Sequence, residues 1–224
     1  MRILGLILAR SQSKGLPDKN IKLLNGKPLM SYAIRAALHS LLDDIYVSSD
    51  SQRYLDLAQS YGAKTILRPE ELAQDDSPSI EAVKHALGHI DTDVICLINC
   101  CAPLIQTQDI DNMIAVMEKT RCDSVVSVVE DFTCHPSKIC QLDGDRIIVG
   151  QEFRTWERQN IVGCYKRNAA LYLAKREVIE RGGFFGKNTR AYIMPKSRSI
   201  DINDEQDFFL AECLIKWNEN KTTS

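Results

Sequence analysis

The chain opens with a run of branched apolar residues, Ile3 to Ala9, short and uninterrupted by polar positions, as in a strand buried on both faces. From Pro28 to Ser40 the apolar residues Leu29, Ala33, Ala36 and Ala37 fall at helical spacing, which predicts a helix. The alternation then repeats: Ile45–Ser49 reads as strand, Ser51–Tyr61 as helix and Lys64–Leu67 as strand. Ser77-Pro78 offers an N-cap with proline at the first helical position, opening a helix to about Ile90. Val94–Asn99 reads as strand, Asp109–Lys119 as helix and Ser124–Val129 as strand.

Strand and helix at this rhythm predict an α/β chain built on a Rossmann-like, doubly wound, mostly parallel sheet covered on both faces. Residues 131–167 break the rhythm, with turn signals (Leu142-Asp143-Gly144-Asp145), a short strand and no clear helix. They read as an inserted arm, and an exposed strand-rich excursion calls for a partner. Ala169–Ala174, Ala191–Met194 and Ser199–Ile202 return to strand character. A closing helix, Glu205–Trp217, is expected to bury Phe208, Phe209, Ala211, Leu214 and Ile215. With 224 residues and no linker or repeat, the whole chain reads as a single domain carrying that arm.

Composition is ordinary for a globular protein, 44% hydrophobic and 26% charged, which excludes a disordered or fibrous chain. The opening apolar run is far shorter than the ~20 residues of a membrane span and lacks the features of a signal peptide. A soluble, cytoplasmic protein is expected. None of the eight cysteines forms a CxxC pair, so reduced, structural thiols are expected rather than a zinc site or a disulfide framework. The net charge of −2 points to neither nucleic acid nor membrane. Its distribution says more. Arg10, Lys14, Lys19, Lys22 and Lys27 face a single anion, Asp18, so this stretch carries +4 and the remainder −6. A concentrated positive segment in an acidic chain suits a small polyanion.

In a doubly wound sheet, ligands bind beyond the carboxyl ends of the strands. The first strand delivers Ala9-Arg10-Ser11-Gln12-Ser13-Lys14-Gly15 there, a turn of hydroxyls, glycine and cations that can wrap a triphosphate. It matches neither the Walker A loop nor GxGxxG, which weighs against a P-loop ATPase or a dehydrogenase. Near the other end, Ser199-Ile200-Asp201-Ile202-Asn203 alternates by two, placing Asp201 and Asn203 on one face. Two oxygen ligands there can hold Mg²⁺, which binds through one or two carboxylates plus substrate phosphates.

The run Leu8-Ala9-Arg10-Ser11-Gln12-Ser13-Lys14-Gly15-Leu16-Pro17-Asp18-Lys19-Asn20 resembles the opening signature of the acylneuraminate cytidylyltransferases (CMP-sialic acid synthetases). The likeness continues in order along the chain, through Arg68-Pro69-Glu70-Glu71-Leu72-Ala73 with Ser77–Ser79 and His135-Pro136-Ser137-Lys138. Arg158-Gln159, Asn168, Tyr172, Phe184-Phe185 and Ser199-Ile200-Asp201-Ile202 complete it. The resemblance implies transfer of CMP from CTP to a nine-carbon α-keto sugar acid, with release of pyrophosphate. It also implies that Arg10, Ser13, Lys14, Lys19, Asn20, Ser79 and Asn99 hold the nucleotide, with Arg10, Lys14 and Asp201 catalytic. Arg158, Gln159, Asn168, Tyr172, Phe184, Phe185 and Lys138 would meet the sugar, Lys138 reaching a neighbouring subunit's site across a homodimer. Asp201 and Asn203 would ligate magnesium.

Three positions depart from the family's pattern. Asn203 replaces a second aspartate, and an amide brings no charge to a cation. Asn99-Cys100-Cys101-Ala102-Pro103-Leu104-Ile105 stands where Gln-Pro-Thr-Ser-Pro-Leu-Arg is usual, and Ala169 stands for glycine. These changes suggest a relative of sialic acid, such as a legionaminic- or pseudaminic-type acid. Two other readings stay open: a cytidylyltransferase for the eight-carbon keto acid of lipopolysaccharide, and a non-catalytic paralogue that binds nucleotide.

Overall fold

The computed structural model describes residues 1–13, 15–148 and 163–222. Strand β1 (Ile3–Leu8) leads through a turn and a small hairpin, β2 (Leu23–Leu24) and β3 (Lys27–Pro28), into helix α1 (Leu29–Leu38). There follow β4 (Asp44–Ser49), α2 (Gln52–Ser60), β5 (Lys64–Leu67), α3 (Ser79–Leu87), β6 (Val94–Ile98), α4 (Thr107–Thr120) and β7 (Ser124–Glu130). The arm carries a second hairpin, β8 (Gln141–Asp143) and β9 (Arg146–Ile148). The chain returns through β10 (Tyr165–Lys175), α5 (Arg176–Glu180), β11 (Thr189–Ile193) and α6 (Glu205–Thr222).

Seven strands form one sheet in the order β11-β7-β10-β6-β1-β4-β5, parallel except for β10, which runs antiparallel to both β6 and β7. The winding reverses between β1 and β6. The chain runs outward from β1 to β4 and β5 on one side and to β6 on the other, so the carboxyl ends of β1, β4 and β6 border a crevice. Helices α1, α2 and α4 pack on one face around Met30, Ile34, Tyr54, Ile110 and Met113. Helices α3 and α5 cover the other face through Val83, Leu87, Val178 and Ile179. β1 is apolar throughout because it is buried from both sides.

Four expectations are corrected. Helix α3 begins at Ser79, and the Ser77 hydroxyl donates to Glu71 O at 2.6 Å instead of capping the helix. Ser199–Ile202 is extended but joins no sheet, tied by Ile202 N to Cys101 O at 2.8 Å. Its in-and-out alternation survives all the same, with Ile202 buried and Asn203 exposed. On α6, Phe208, Ala211 and Ile215 are buried with Leu16, Leu24 and Leu104, but Phe209 is 68% exposed, since two consecutive helical residues cannot share one face. Leu214, also expected in the core, is only half-buried against this cluster.

Candidate functional site

The turn after β1 is built on fixed points. Ser11 donates from its backbone N to Asp50 Oδ1 at 2.9 Å and from its hydroxyl to Asp50 Oδ2, tying the turn to the end of β4. Asn20, predicted to orient this loop, is 4% exposed. Its amide Nδ2 donates to Arg10 O at 2.9 Å, and its Oδ1 accepts from the Cys100 thiol at 3.0 Å. Asp18 holds a left-handed turn at φ 52° and accepts from the Tyr54 hydroxyl at 3.0 Å. Gly15 lies so close to the carbonyl oxygen of Asn203 that a Cβ there would stand 2.4 Å from it. A side chain at this position would force the turn and the acidic segment apart.

Above the turn lies a cleft of about 330 Å³. Six predicted residues, Arg10, Ser13, Lys19, Asn20, Ser79 and Asn99, line it. Arg68, Gln74, Asp75, Ser77, Cys100 and Cys101 complete the wall. Arg10 Nη1 is 2.8 Å from Asp75 Oδ1 across the mouth. Lys19 Nζ donates to Ile202 O at 2.6 Å, and Asn99 Nδ2 donates to Asp201 Oδ1 at 3.3 Å. Two cleft-lining residues, Lys19 and Asn99, thus touch the late acidic segment, while Asp201 and Asn203 do not themselves line the cleft. Lys14, Arg158 and Gln159 fall outside the described residues.

Sequence reasoning missed Arg68 as a site residue. Its side chain is 4% exposed, yet among the described residues Nε and Nη2 have no hydrogen-bond partner, and Asp50 Oδ1 is 3.9 Å away. Burial lowers its affinity for a proton from the ordinary guanidinium value, with Asp50 opposing. A buried cation with two idle donors in a cleft wall is a costly arrangement. Its signal was available: an arginine just past an apolar strand, at the edge where ligands bind.

Asp201 is half-buried, and desolvation raises its pKa above the usual carboxylate value, against the amide of Asn203 and the charge of Lys19. Asn203 Nδ2 reaches Asp201 Oδ2 at 3.4 Å. A carboxylate short of positive partners at the cleft edge suits a hard cation. Among the described residues no three His, Cys, Asp or Glu side chains gather to hold a metal. A cation at Asp201 and Asn203 would draw its remaining ligands from phosphate and water. Asp204 is engaged otherwise, accepting from Asp207 N at 2.9 Å at the start of α6.

The residues predicted to meet the sugar separate. Tyr172 and Phe184 stack with ring centroids 5.2 Å apart, on the sheet face that carries Leu8 and Leu97. Phe185 is exposed beneath the Arg167 guanidinium, 5.5 Å from the ring. Asn168 is buried in an irregularity of β10, where its Oδ1 accepts from Ser127 Oγ at 2.6 Å and its Nδ2 donates to Ser199 Oγ at 3.0 Å. It thus anchors the segment leading to Asp201. The next residue, Ala169, is left-handed at φ 56°, which explains why glycine suits this position. Lys138 is exposed on the arm and lines a different cavity, with Phe132, Met194 and Lys196.

A family model described as cytidylyltransferase matches residues 4–193. The chain is 38% identical over 219 residues to the N-acylneuraminate cytidylyltransferase of Escherichia coli O18:K1:H7, covering 94% of this chain and 51% of that protein. It is 34% identical to N-acylneuraminate cytidylyltransferase A of Danio rerio, covering 94% and 50%. Post-translational flagellin modification protein B of Campylobacter coli is 29% identical, covering 96% and 95%. The chain thus spans about half the length of the two N-acylneuraminate cytidylyltransferases. Among solved structures, a CMP:2-keto-3-deoxy-manno-octonic acid synthetase complexed with CTP superposes with TM-score 0.77 at 14% identity, covering 97% of this chain and all of the other. A 4-diphosphocytidyl-2C-methyl-D-erythritol synthase from Anaerococcus prevotii gives 0.67 at 11% identity, covering 96% and 98%.

Proposed function

The chain belongs to the cytidylyltransferase family, and from that premise we propose that it moves CMP from CTP to a nine-carbon α-keto sugar acid of sialic, legionaminic or pseudaminic type, releasing pyrophosphate. The observation that supports this reading is the contact between cleft and acidic segment: Lys19, from the cationic turn, reaches the backbone beside Asp201, and Asn99 in the cleft wall donates to Asp201.

Arg10, Ser13 and Lys19 face the cleft and would bind the triphosphate, with Arg10 leaving Asp75 for a phosphate oxygen. Lys14 is assigned to the same task from sequence. Arg68, whose side chain lines the cleft while Nε and Nη2 are buried, would have to turn outward to reach the nucleotide near Ser77 and Ser79. Asp201 and Asn203 would hold Mg²⁺, which supplies charge neutralisation for phosphate oxygens. Phosphoryl chemistry asks mainly for positioning and electrostatics, and this chain supplies fixed cations against a half-buried carboxylate. Tyr172 and Phe184 form an apolar wall two strands from β1, suited to the sugar's carbon frame.

The arm is proposed to pair two copies of the chain. Ile139, Leu142, Ile147 and Ile148 are all exposed on it. Among the described residues no helix is long and apolar enough to cross a membrane. The deciding assay incubates the chain with CTP, Mg²⁺ and, in turn, each purified nonulosonic acid and the eight-carbon keto acid, and measures pyrophosphate. Release with a nine-carbon acid is expected. CTP binding without release in any mixture would overturn the reading in favour of a nucleotide-binding scaffold.

A further inference from the structure

Where the arm leaves and rejoins the sheet, two half-buried thiols face each other. Cys134 Sγ and Cys164 Sγ are 3.1 Å apart, about 1 Å longer than the ~2.05 Å of a disulfide bond. Both sit on pinned backbone. Asp131 N donates to Cys164 O at 2.8 Å, continuing the β7–β10 ladder past the Glu130–Tyr165 pair. Cys134 ends a tight turn, Phe132–Cys134, that the Asp131 carboxylate caps through Thr133 N at 3.0 Å and Thr133 Oγ1 at 2.6 Å. A small side-chain movement would bring the sulfurs to bonding distance without refolding the junction.

The other six thiols are placed less well for an internal bridge. Cys96, Cys100 and Cys122 are buried in the core. Cys100 and Cys101 are consecutive, and the ~3.8 Å between neighbouring Cα atoms falls short of the ~4.4 Å at which ordinary disulfides begin. Cys140 and Cys213 are exposed, where a small thiol or a second chain can reach them.

We propose that Cys134 and Cys164 are a modification site: a dithiol that a small-molecule disulfide, such as oxidised glutathione, converts to an intramolecular disulfide closing the base of the arm. The Cys164 thiolate attacks one glutathione sulfur, forming a mixed disulfide and releasing one glutathione thiolate. The hydrogen bond that Cys134 donates to Cys164, with burial, pushes the Cys134 thiol up, so it keeps its proton longer and acts second. After losing that proton it attacks Cys164 Sγ and expels the second glutathione. Two protein thiols are oxidised and one glutathione disulfide is reduced to two thiols. The 29 residues between them, including Lys138, then become a closed loop.

The test uses the full chain, equilibrated in glutathione buffers of rising oxidised fraction, alkylated and digested without reduction for mass spectrometry. Expected is a linked peptide pair containing Cys134 and Cys164, with these two thiols lost to alkylation and no bridge among the other six. Cys134→Ser should abolish the link and leave Cys164 carrying glutathione; Cys164→Ser should abolish it too. The proposal is overturned if bridges form only between other cysteines. It is equally overturned if Cys134 and Cys164 remain alkylatable once Cys140 and Cys213 are glutathionylated. The readout is a mass, so it stands whether or not the chain transfers CMP.

Discussion

The cleft beyond β1 and the arm are made in opposite ways. The turn that floors the cleft is held by its surroundings: Asn20 is buried between Arg10 and Cys100, Ser11 is clamped to Asp50, and Lys19 is tied to Ile202. The arm has three-residue strands, β8 and β9, whose residues are all exposed, Leu142, Ile147 and Ile148 among them. Isolated two-stranded hairpins are marginal in water. The cleft's turn is anchored by its own chain, whereas the described hairpin of the arm shows only exposed residues.

The strongest challenge to that contrast is Asp201→Asn. Activity should fall by roughly 10³-fold, since the variant keeps the shape and loses the charge that a cation needs; pyrophosphate release measures it. The same change should raise the stability of the ligand-free protein at neutral pH. Burial raises the pKa of Asp201 in the folded state, so the folded protein holds this proton more tightly than the unfolded one. Stability from this group is therefore present at low pH and lost as pH rises through the folded pKa, and the asparagine removes that slope. Wild-type activity, by the opposite logic, should decline as pH falls through the same value.

Next is Arg68→Met, expected to raise KM for CTP by about 10–100-fold, the worth of one or two charged hydrogen bonds. Ligand-free thermal stability should hold or rise, because the idle donors have gone. A variant that unfolds instead would make Arg68 a structural residue and weaken the claim of a cleft strained for its ligand. On the arm, Leu142→Glu with Ile147→Glu should weaken self-association about tenfold or more in sedimentation, as loss of an apolar anchor does, and leave CTP affinity unchanged. A fall in CTP affinity would mean the two regions are not separate. The smallest effect belongs to their joint. Ala169→Gly relieves a left-handed backbone at φ 56° and should add about 0.5–1 kcal/mol in urea unfolding.

The sheet was legible because strands buried on both faces read as apolar runs, as Ile3–Leu8 and Val94–Ile98 do. The reversed direction of β10 was not, since no residue in it encodes which neighbour it will pair with. Ser199–Ile202 misled because alternation of period two arises wherever an extended segment lies against a core, with or without a ladder. The cationic turn was legible as local chemistry. Arg68 was visible in the sequence as the start of Arg68–Ala73, but its burial without a hydrogen-bond partner among the described residues is created only by packing.

Gly15 bears on how the ligand is won. The glycine, seated directly against the backbone of Asn203, fixes one end of the turn, and a site ordered in advance spends less of a ligand's attraction on ordering. The absent side chain acts as a spacer of zero thickness and sets the width of the gap before any nucleotide arrives.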